Sequence, residues 1–354
     1  MLSRDVKRMI GQMFVFGFEG RNPTPYVRDL VDKHNIAGLV YFSRNISEPG
    51  QLWELIRSLK APGLLHAIDH EGGRVVRMGE PVTRFPAPRR VGDANNPELA
   101  RRSGRFQATE LAAIGINLCF APVLDLATNP LNTVIRDRAL SGDPAVASRI
   151  GAEIVRGIQE TGVAACAKHF PGHGDTREDS HETLPSLRTP ASTLRTREWL
   201  PFAAAIRAGV RTVMTAHVRF DELDPRHPAS LSERIVRDIL RKELRFDGVV
   251  VTDDLEMKAV TGTYDVDERT LLAIKAGADI LLFCHTPEVQ VAALETVYRA
   301  VEGRILSVDR IEQSFKRVQE LKKSMASVKS ANNRGELYAV LGCQAHRALA
   351  ATLA

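Results

Sequence analysis

The sequence predicts a (β/α)8 barrel, a single TIM-type α/β domain with long loops after its strands. Eight short apolar, β-branched runs recur along the chain, and longer segments of helical periodicity separate them. Six of the runs also end at or lead into Asp, His or Lys, which is where the loops at the catalytic face of such a barrel begin. The runs are MFVFGF from Met13, AGLVYF from Ala37, LLHAID from Leu64, NLCFAPVLD from Asn117, AACAKHF from Ala164, TVMTAHV from Thr212, GVVVTDD from Gly248 and ADILLFC from Ala278. Between them lie helical segments such as QLWELIRSLK, PELARRSGRFQATELAAIG, PAVASRIGAEIVRGIQETG, TREWLPFAAAIRAG, SERIVRDILRKEL and DERTLLAIKAG. Several end in Gly before the next strand, as a helix C-cap does, while Asp143 with Pro144, and Ser232 ahead of Ile235, mark helix starts. Residues 1–354 are expected to form one barrel domain, with helices from about 307, including CQAHRALAATLA, packing on the barrel.

Composition narrows the class. With 44% hydrophobic and 26% charged residues the chain can bury a large core, so disorder is not expected. The net charge of +5 comes from scattered arginines and not from a block, which argues against a nucleic-acid surface. Cys119, Cys166, Cys284 and Cys343 are widely spaced and show no CxxC, so reduced cysteines are expected. Asp5, Lys7 and Arg8 interrupt the place where a signal peptide needs an apolar stretch, and no run reaches membrane-spanning length. A monomeric cytoplasmic protein with neither a nucleic-acid nor a membrane partner is the expectation.

Polar, titratable residues gather at one rim. The third run leads into DHEGGRVVR, the fourth ends at Asp125, and the fifth leads into KHFPGHGD. The sixth leads into AHVRF, the seventh into TDD and the eighth into CHT. Any strand turns polar as it leaves a core. Six doing so with Asp, His and Lys, followed by long loops over 126–142, 171–190, 221–231 and 255–265, point to an active-site rim.

Each constellation has a plain reading beside the chemical one. Asp253 and Asp254 end an apolar strand; side chains alternate there, so Asp253 is expected to point inward as nucleophile or electrostatic stabiliser, with Asp254 in support. The plain reading of Asp254 is a helix cap. In DHEGGRVVR, Asp69 and Arg77 suit sugar hydroxyls and anchored acceptors, or equally form a structural pair beside a glycine turn. Arg136 and Arg138, read from the residues alone, are solvated loop charges. The run KHFPGHGDTREDSHETLP, 168–185, lacks the HxH or HExxH spacing of a metal site, and no metal or other cofactor is expected. Asp179 and His181 lie two apart, where a carboxylate can orient an imidazole and raise its pKa for proton transfer. Lys168 and His169 would hold a substrate oxygen; a Schiff-base role is the alternative for the lysine.

Taken together, KHFPGHGDTREDSHETLP, DHEGGRVVR, IRDRALSGDP and VVVTDDLEM span almost the whole chain and resemble glycoside hydrolase family 3 β-N-acetylhexosaminidases, the short peptidoglycan-recycling type without a second domain. The resemblance implies a retaining reaction through a covalent glycosyl-enzyme, with Asp253 as nucleophile and His181, oriented by Asp179, as acid and base. It implies a sugar-binding set of Asp69, Arg77, Arg138, Lys168 and His169, and N-acetylglucosaminyl-anhydromuramyl peptides as the carbohydrate substrate. It thereby raises Arg138 above a solvated charge and disfavours the Schiff base. One departure is His70, where the family commonly has Gln; pointing away from Asp69, it is expected to matter little to the chemistry. The histidine acid also departs from the usual pair of carboxylates. Its loop, flanked by Gly and Pro, is one that can move as a lid does. The rivals are a β-glucosidase of the same family, a non-catalytic sugar-binding barrel and a metal-dependent amidohydrolase.

Overall fold

A computed structural model of the chain describes residues 2–59, 61–180 and 182–354. Eight strands close into a parallel barrel: β1 (Phe14–Phe16), β2 (Gly38–Tyr41), β3 (Leu65–Ile68), β4 (Leu118–Cys119), β5 (Ala164–Phe170), β6 (Thr212–Thr215), β7 (Val249–Asp254) and β8 (Ile280–Phe283). Each pairs with its neighbour in sequence, and β1 closes on β8 with Phe14 opposite Leu281. All eight predicted runs therefore supply a strand. Most strands are shorter than their runs, and β4 is shortest because Pro122 cannot donate to the ladder. The chain beyond it still follows β5: Cys166 N–H donates to the Ala121 carbonyl at 2.8 Å, and Leu124 N–H to that of Lys168 at 2.7 Å. That irregular continuation brings Asp125 to the rim.

The helices begin and end where local chemistry sets them. Asn96 accepts from the amides of Glu98 and Leu99 at the start of Pro97–Ile114, and Gly115, at φ +105°, ends that helix. Asp143 accepts from Ala145 N–H at 2.7 Å ahead of Pro144–Glu160. Asp265 and Glu268 form a reciprocal capping box for Val266–Ala276. Ser232 accepts from Ile235 N–H as expected, but the segment Arg234–Glu243 winds with the wider i→i+5 hydrogen bonds of a π-helix. The loops after the strands are less irregular than the sequence suggests. A short turn of 3-10 helix, Arg136–Arg138, follows β4, a helix, Lys258–Thr261, follows β7, and Ser186–Leu187 pairs with Arg219–Phe220 across the loops after β5 and β6.

Inside the barrel, Val15, Val40, Leu65, Leu118, Cys166, Met214, Val251 and Ile280 form one apolar cluster, and Val318, Leu321 and Met325 from the region of helix Val308–Ser324 join it. Helix Gln344–Thr352 docks through buried Leu349 and through His346, whose Nδ1 lies 2.7 Å from Glu110 on helix Pro97–Ile114. All four cysteines are free, three of them buried. Among the described residues no helix is long and apolar enough to cross a membrane.

One carboxylate ties the last long helix to the strands. Asp279, fully buried just before β8, accepts from Val250 N–H (3.0 Å), Ser314 Oγ (2.7 Å) and Arg317 (3.2 Å), and pairs with Arg241. Replacing it strands buried guanidinium groups, a change that costs roughly 3–5 kcal/mol. Asp279→Ala is expected to lower the unfolding free energy by that amount, read as a lower urea midpoint with an unchanged slope of the transition.

Candidate active site

The C-terminal ends of the strands open into a cavity of about 540 Å³. Its lining brings together Asp69, Arg77, Arg138, Lys168, His169, Asp179 and Asp253, seven of the eight residues singled out from the sequence. The eighth, His181, lies outside the described residues.

An ion network makes the floor. Lys168, at the end of β5, donates to Asp69 Oδ1 at 2.7 Å and lies 2.7 Å from Glu71 Oε1. Asp69 also takes Arg77 Nη2 at 2.8 Å, so the Asp69–Arg77 pair exists and faces the cavity. Glu71 takes Arg138 through both oxygens, each at 2.8 Å. The residue-only reading of Arg138 as solvated charge is thus wrong: it is buried, held by a carboxylate that the DHEGG turn places opposite it. Burial pushes the Asp69 and Glu71 carboxyls up, but Lys168 and the arginines outweigh it, leaving Glu71 at about 2 and Asp69 well below its ordinary value. Burial lowers the Lys168 pKa, but Asp69 and Glu71 prevail and raise it, which favours the ammonium and argues against a Schiff-base amine.

A second group fixes the base of the loop after β5. Asp125 accepts His169 Nδ1 (2.7 Å) and the amide of His173 (2.7 Å), which orients His169 toward the cavity. The peptides Lys168–His169 and Phe170–Pro171 are cis. Asn132 donates to the carbonyls of His173 (2.9 Å) and Gly174 (3.2 Å), and a Cβ on Gly174 would lie 1.6 Å from the Leu126 carbonyl oxygen, so only glycine fits there. His173 bridges Thr176 and Ser180 at 3.0 and 2.9 Å; burial lowers its pKa to about 4, so it is a neutral brace. Asp179 accepts from the amides of Glu182 and Thr183 through its carbonyl, at 2.9 and 3.0 Å.

Across the cavity stands the end of β7. Asp253 accepts from the Asp254 amide at 2.8 Å. Burial raises its pKa, but His169, His217, that amide and Lys168 prevail, and the carboxyl lies below its usual range. Asp254 accepts from the amide of Glu256 (3.0 Å), as the plain capping reading expects, and also from that of Cys284 (3.2 Å), and it pairs with His285. His217 is held beneath, between Ser230 Oγ (2.7 Å) and the Asp254 carbonyl (2.9 Å).

Glu71, Asp125, His173 and His217 were given no role by the sequence. All four lie within or at the end of the quoted motifs; what sequence could not supply was their partners. His70 is buried and does not line the cavity. Among the described residues no three His, Cys, Asp or Glu side chains converge as a metal-holding group.

An ionised carboxylate facing a polar floor that offers charged donors and acceptors to hydroxyl groups is the arrangement of a glycoside hydrolase. Residues 5–321 match the glycosyl hydrolase family 3 N terminal domain. A β-hexosaminidase of Thioalkalivibrio sulfidiphilus is 42% identical over 289 residues, 79% of this chain and 82% of that protein. Among solved structures, a glycoside hydrolase family 3 β-N-acetylglucosaminidase from Paenibacillus sp. str. FPU-7 matches with TM-score 0.94 and 40% identity, covering all of this chain and 68% of that one. NagZ from Neisseria gonorrhoeae matches with TM-score 0.80 and 31% identity over 97% of both chains; it has also been solved with N-trifluoroacetyl-D-glucosamine. The chain belongs to glycosyl hydrolase family 3.

The floor network has a signature in acid. Glu71 sits at about 2 against an ordinary 4.5, so its contribution of about 3 kcal/mol is fully present above pH 4.5 and is lost as pH falls toward 2. In Arg138→Met the Glu71 pKa rises back toward 4.5, and the variant is expected to be roughly 3–5 kcal/mol less stable at pH 7. The difference should shrink as pH falls from 4.5 to 2, as read from urea midpoints across that range. A constant difference would show that the pair does not set the acid dependence.

Proposed function

We propose that the protein is a retaining β-N-acetylglucosaminidase that removes terminal non-reducing β-N-acetylglucosamine from N-acetylglucosaminyl-anhydromuramyl peptides. It is read as a monomeric cytoplasmic enzyme whose 354 residues work as one barrel unit in cell-wall recycling. The observation that carries the reading is Asp253: an ionised carboxylate at the barrel mouth, facing the same cavity as Asp69, Arg77, Arg138, Lys168 and His169. The β-hexosaminidase relative and the neighbour solved with a glucosamine derivative support the sugar assigned to that cavity.

In the first step Asp253 attacks the anomeric carbon, the glycosidic C–O bond breaks, and His181 as imidazolium gives its proton to the departing oxygen. Asp179 holds that charge on the ring. In the second step neutral His181 takes a proton from water, the water oxygen bonds to the anomeric carbon, and the Asp253 carboxylate is released. Two displacements at one carbon give net retention. Lys168, Asp69 and Arg138 hold the sugar hydroxyls through both steps, so they act on binding and orientation.

Purified protein is expected to release p-nitrophenol from the β-N-acetylglucosaminide and far less from the β-glucoside; equal rates would favour the glucosidase reading. Asp253→Ala should lose at least about a thousandfold in kcat. His181→Ala should lose about 10²–10⁴-fold on disaccharides, whose leaving group needs the proton, and much less on activated aryl glycosides. An unaltered disaccharide rate in that variant would remove His181 from the mechanism.

A further inference from the structure

Glu198, which precedes helix Trp199–Arg207, is 2% exposed and does not line the cavity. Its Oε1 accepts from Arg197 Nε at 2.7 Å, while its Oε2 is buried without a hydrogen-bond partner among the described residues. A buried carboxyl with an unsatisfied oxygen is costly, and an apolar residue of similar size would fill the space without that cost. Burial accordingly pushes its pKa up to about 7, against the pull of Arg197. Nothing in the reaction scheme uses the group.

Its neighbours give it a use. Gly172, at φ +135°, is the second residue beyond β5, and its amide donates to the His169 carbonyl at 2.8 Å. A Cβ at Gly172 would come within 3.1 Å of both Cβ and Oε2 of Glu198, so the carboxyl is packed directly against this turn. On its other side Glu198 fixes Arg197, whose Nη2 donates to Asp175 Oδ2 at 2.9 Å. Asp175 also accepts from Thr189 Oγ1 at 3.2 Å, and its carbonyl accepts from Asn129 at 3.1 Å. Asp175 lies four residues before Asp179. A chain of contacts thus runs from the Gly172 turn through Glu198 and Arg197 to Asp175.

We propose that Glu198 is a positioning residue for the acid/base loop, packing on the Gly172 turn at one end and, through Arg197, holding Asp175 at the other. It acts on the loop that bears Asp179 and His181, and not on the floor that binds the sugar. A residue that merely stabilised the barrel would affect every substrate alike. One that places the acid affects only substrates whose leaving group must be protonated.

The inference rests on the proposed glycosidase reaction, and two readouts keep the two apart. The first compares kcat/KM, which reports only glycosylation, on a 2,4-dinitrophenyl β-N-acetylglucosaminide and on an N-acetylglucosaminyl disaccharide. Glu198→Ala is expected to lose at least tenfold on the disaccharide and less than twofold on the aryl glycoside. Glu198→Gln, which keeps the volume and an acceptor for Arg197 Nε, should stay within threefold of wild type on both. Asp175→Ala cuts the same chain at its far end and should reproduce the split even where Glu198→Ala folds poorly. The second readout needs no activity: amide hydrogen exchange over 172–180 should quicken in folded Glu198→Ala and Asp175→Ala, while exchange in β7 is unchanged. Equal losses on both substrates, or unchanged exchange over 172–180, would overturn the proposal. Inactive wild-type protein with faster loop exchange in the variants would sink the glycosidase reading and leave the positioning role standing.

Discussion

The arrangement at the barrel mouth depends on one ammonium group. Lys168 is 2% exposed, and a buried cation of this kind costs several kcal/mol in lost hydration. It is held because two carboxylates approach it at 2.7 Å each, a contact worth about 6 kcal/mol apiece at an effective dielectric near 20. Two carboxylates around one ammonium would in turn repel each other, and Arg77 and Arg138 answer that, one on Asp69 and one on Glu71. No member can be removed without stranding another. The strand β5, the DHEGG turn after β3 and the loop after β4 are therefore fixed relative to one another by charge, where a parallel barrel otherwise offers only loops.

That rigidity serves recognition. Hydroxyl groups of a sugar present donors and acceptors at fixed angles, and discrimination among sugars requires partners that do not relax toward the wrong one. Charged groups already locked to each other by short hydrogen bonds meet this condition. His169 joins them by a different route, through the buried carboxylate of Asp125, which also takes the amide of His173. Asp125 thus fixes both a cavity-lining imidazole and the root of the loop that carries Asp179.

The barrel was legible in the sequence because each of its strands is a local feature: an apolar, β-branched run such as AACAKHF can be read without knowing its neighbours. The rim residues were legible for the same reason, since Asp253 or Lys168 stands at the end of such a run. Partnerships were not. Lys168 and Asp69 are 99 residues apart, Arg138 and Glu71 are 67, and His169 and Asp125 are 44. Nothing local in IRDRALSGDP distinguishes Arg138, bound through two nitrogens by Glu71, from Arg136 two residues earlier, which is exposed and at φ +43°. Family resemblance supplied that distinction where pattern alone gave the wrong answer. The π-helical winding of Arg234–Glu243 left no trace in the periodicity either, because its buried positions, Ile235, Val236, Ile239 and Leu240, fall on one face at either winding.

The charge balance of the floor also reaches Asp253. Asp69 and Glu71 carry two negative charges against three positive ones on Lys168, Arg77 and Arg138, so the cluster is positive by one. Lys168 is among the groups that draw the Asp253 pKa down, together with His169 and His217. A carboxylate stabilised in this way is ionised, and in the proposed double displacement it would be the better leaving group when the glycosyl ester breaks. Each unit by which its pKa falls would help that second step and weaken the attack in the first. Burial, which acts on Asp253 in the opposite direction, limits that fall. Asp253, the proposed nucleophile, is thus set between two opposed effects that come from the same place: the cavity that excludes water from it and the cations that line that cavity's floor.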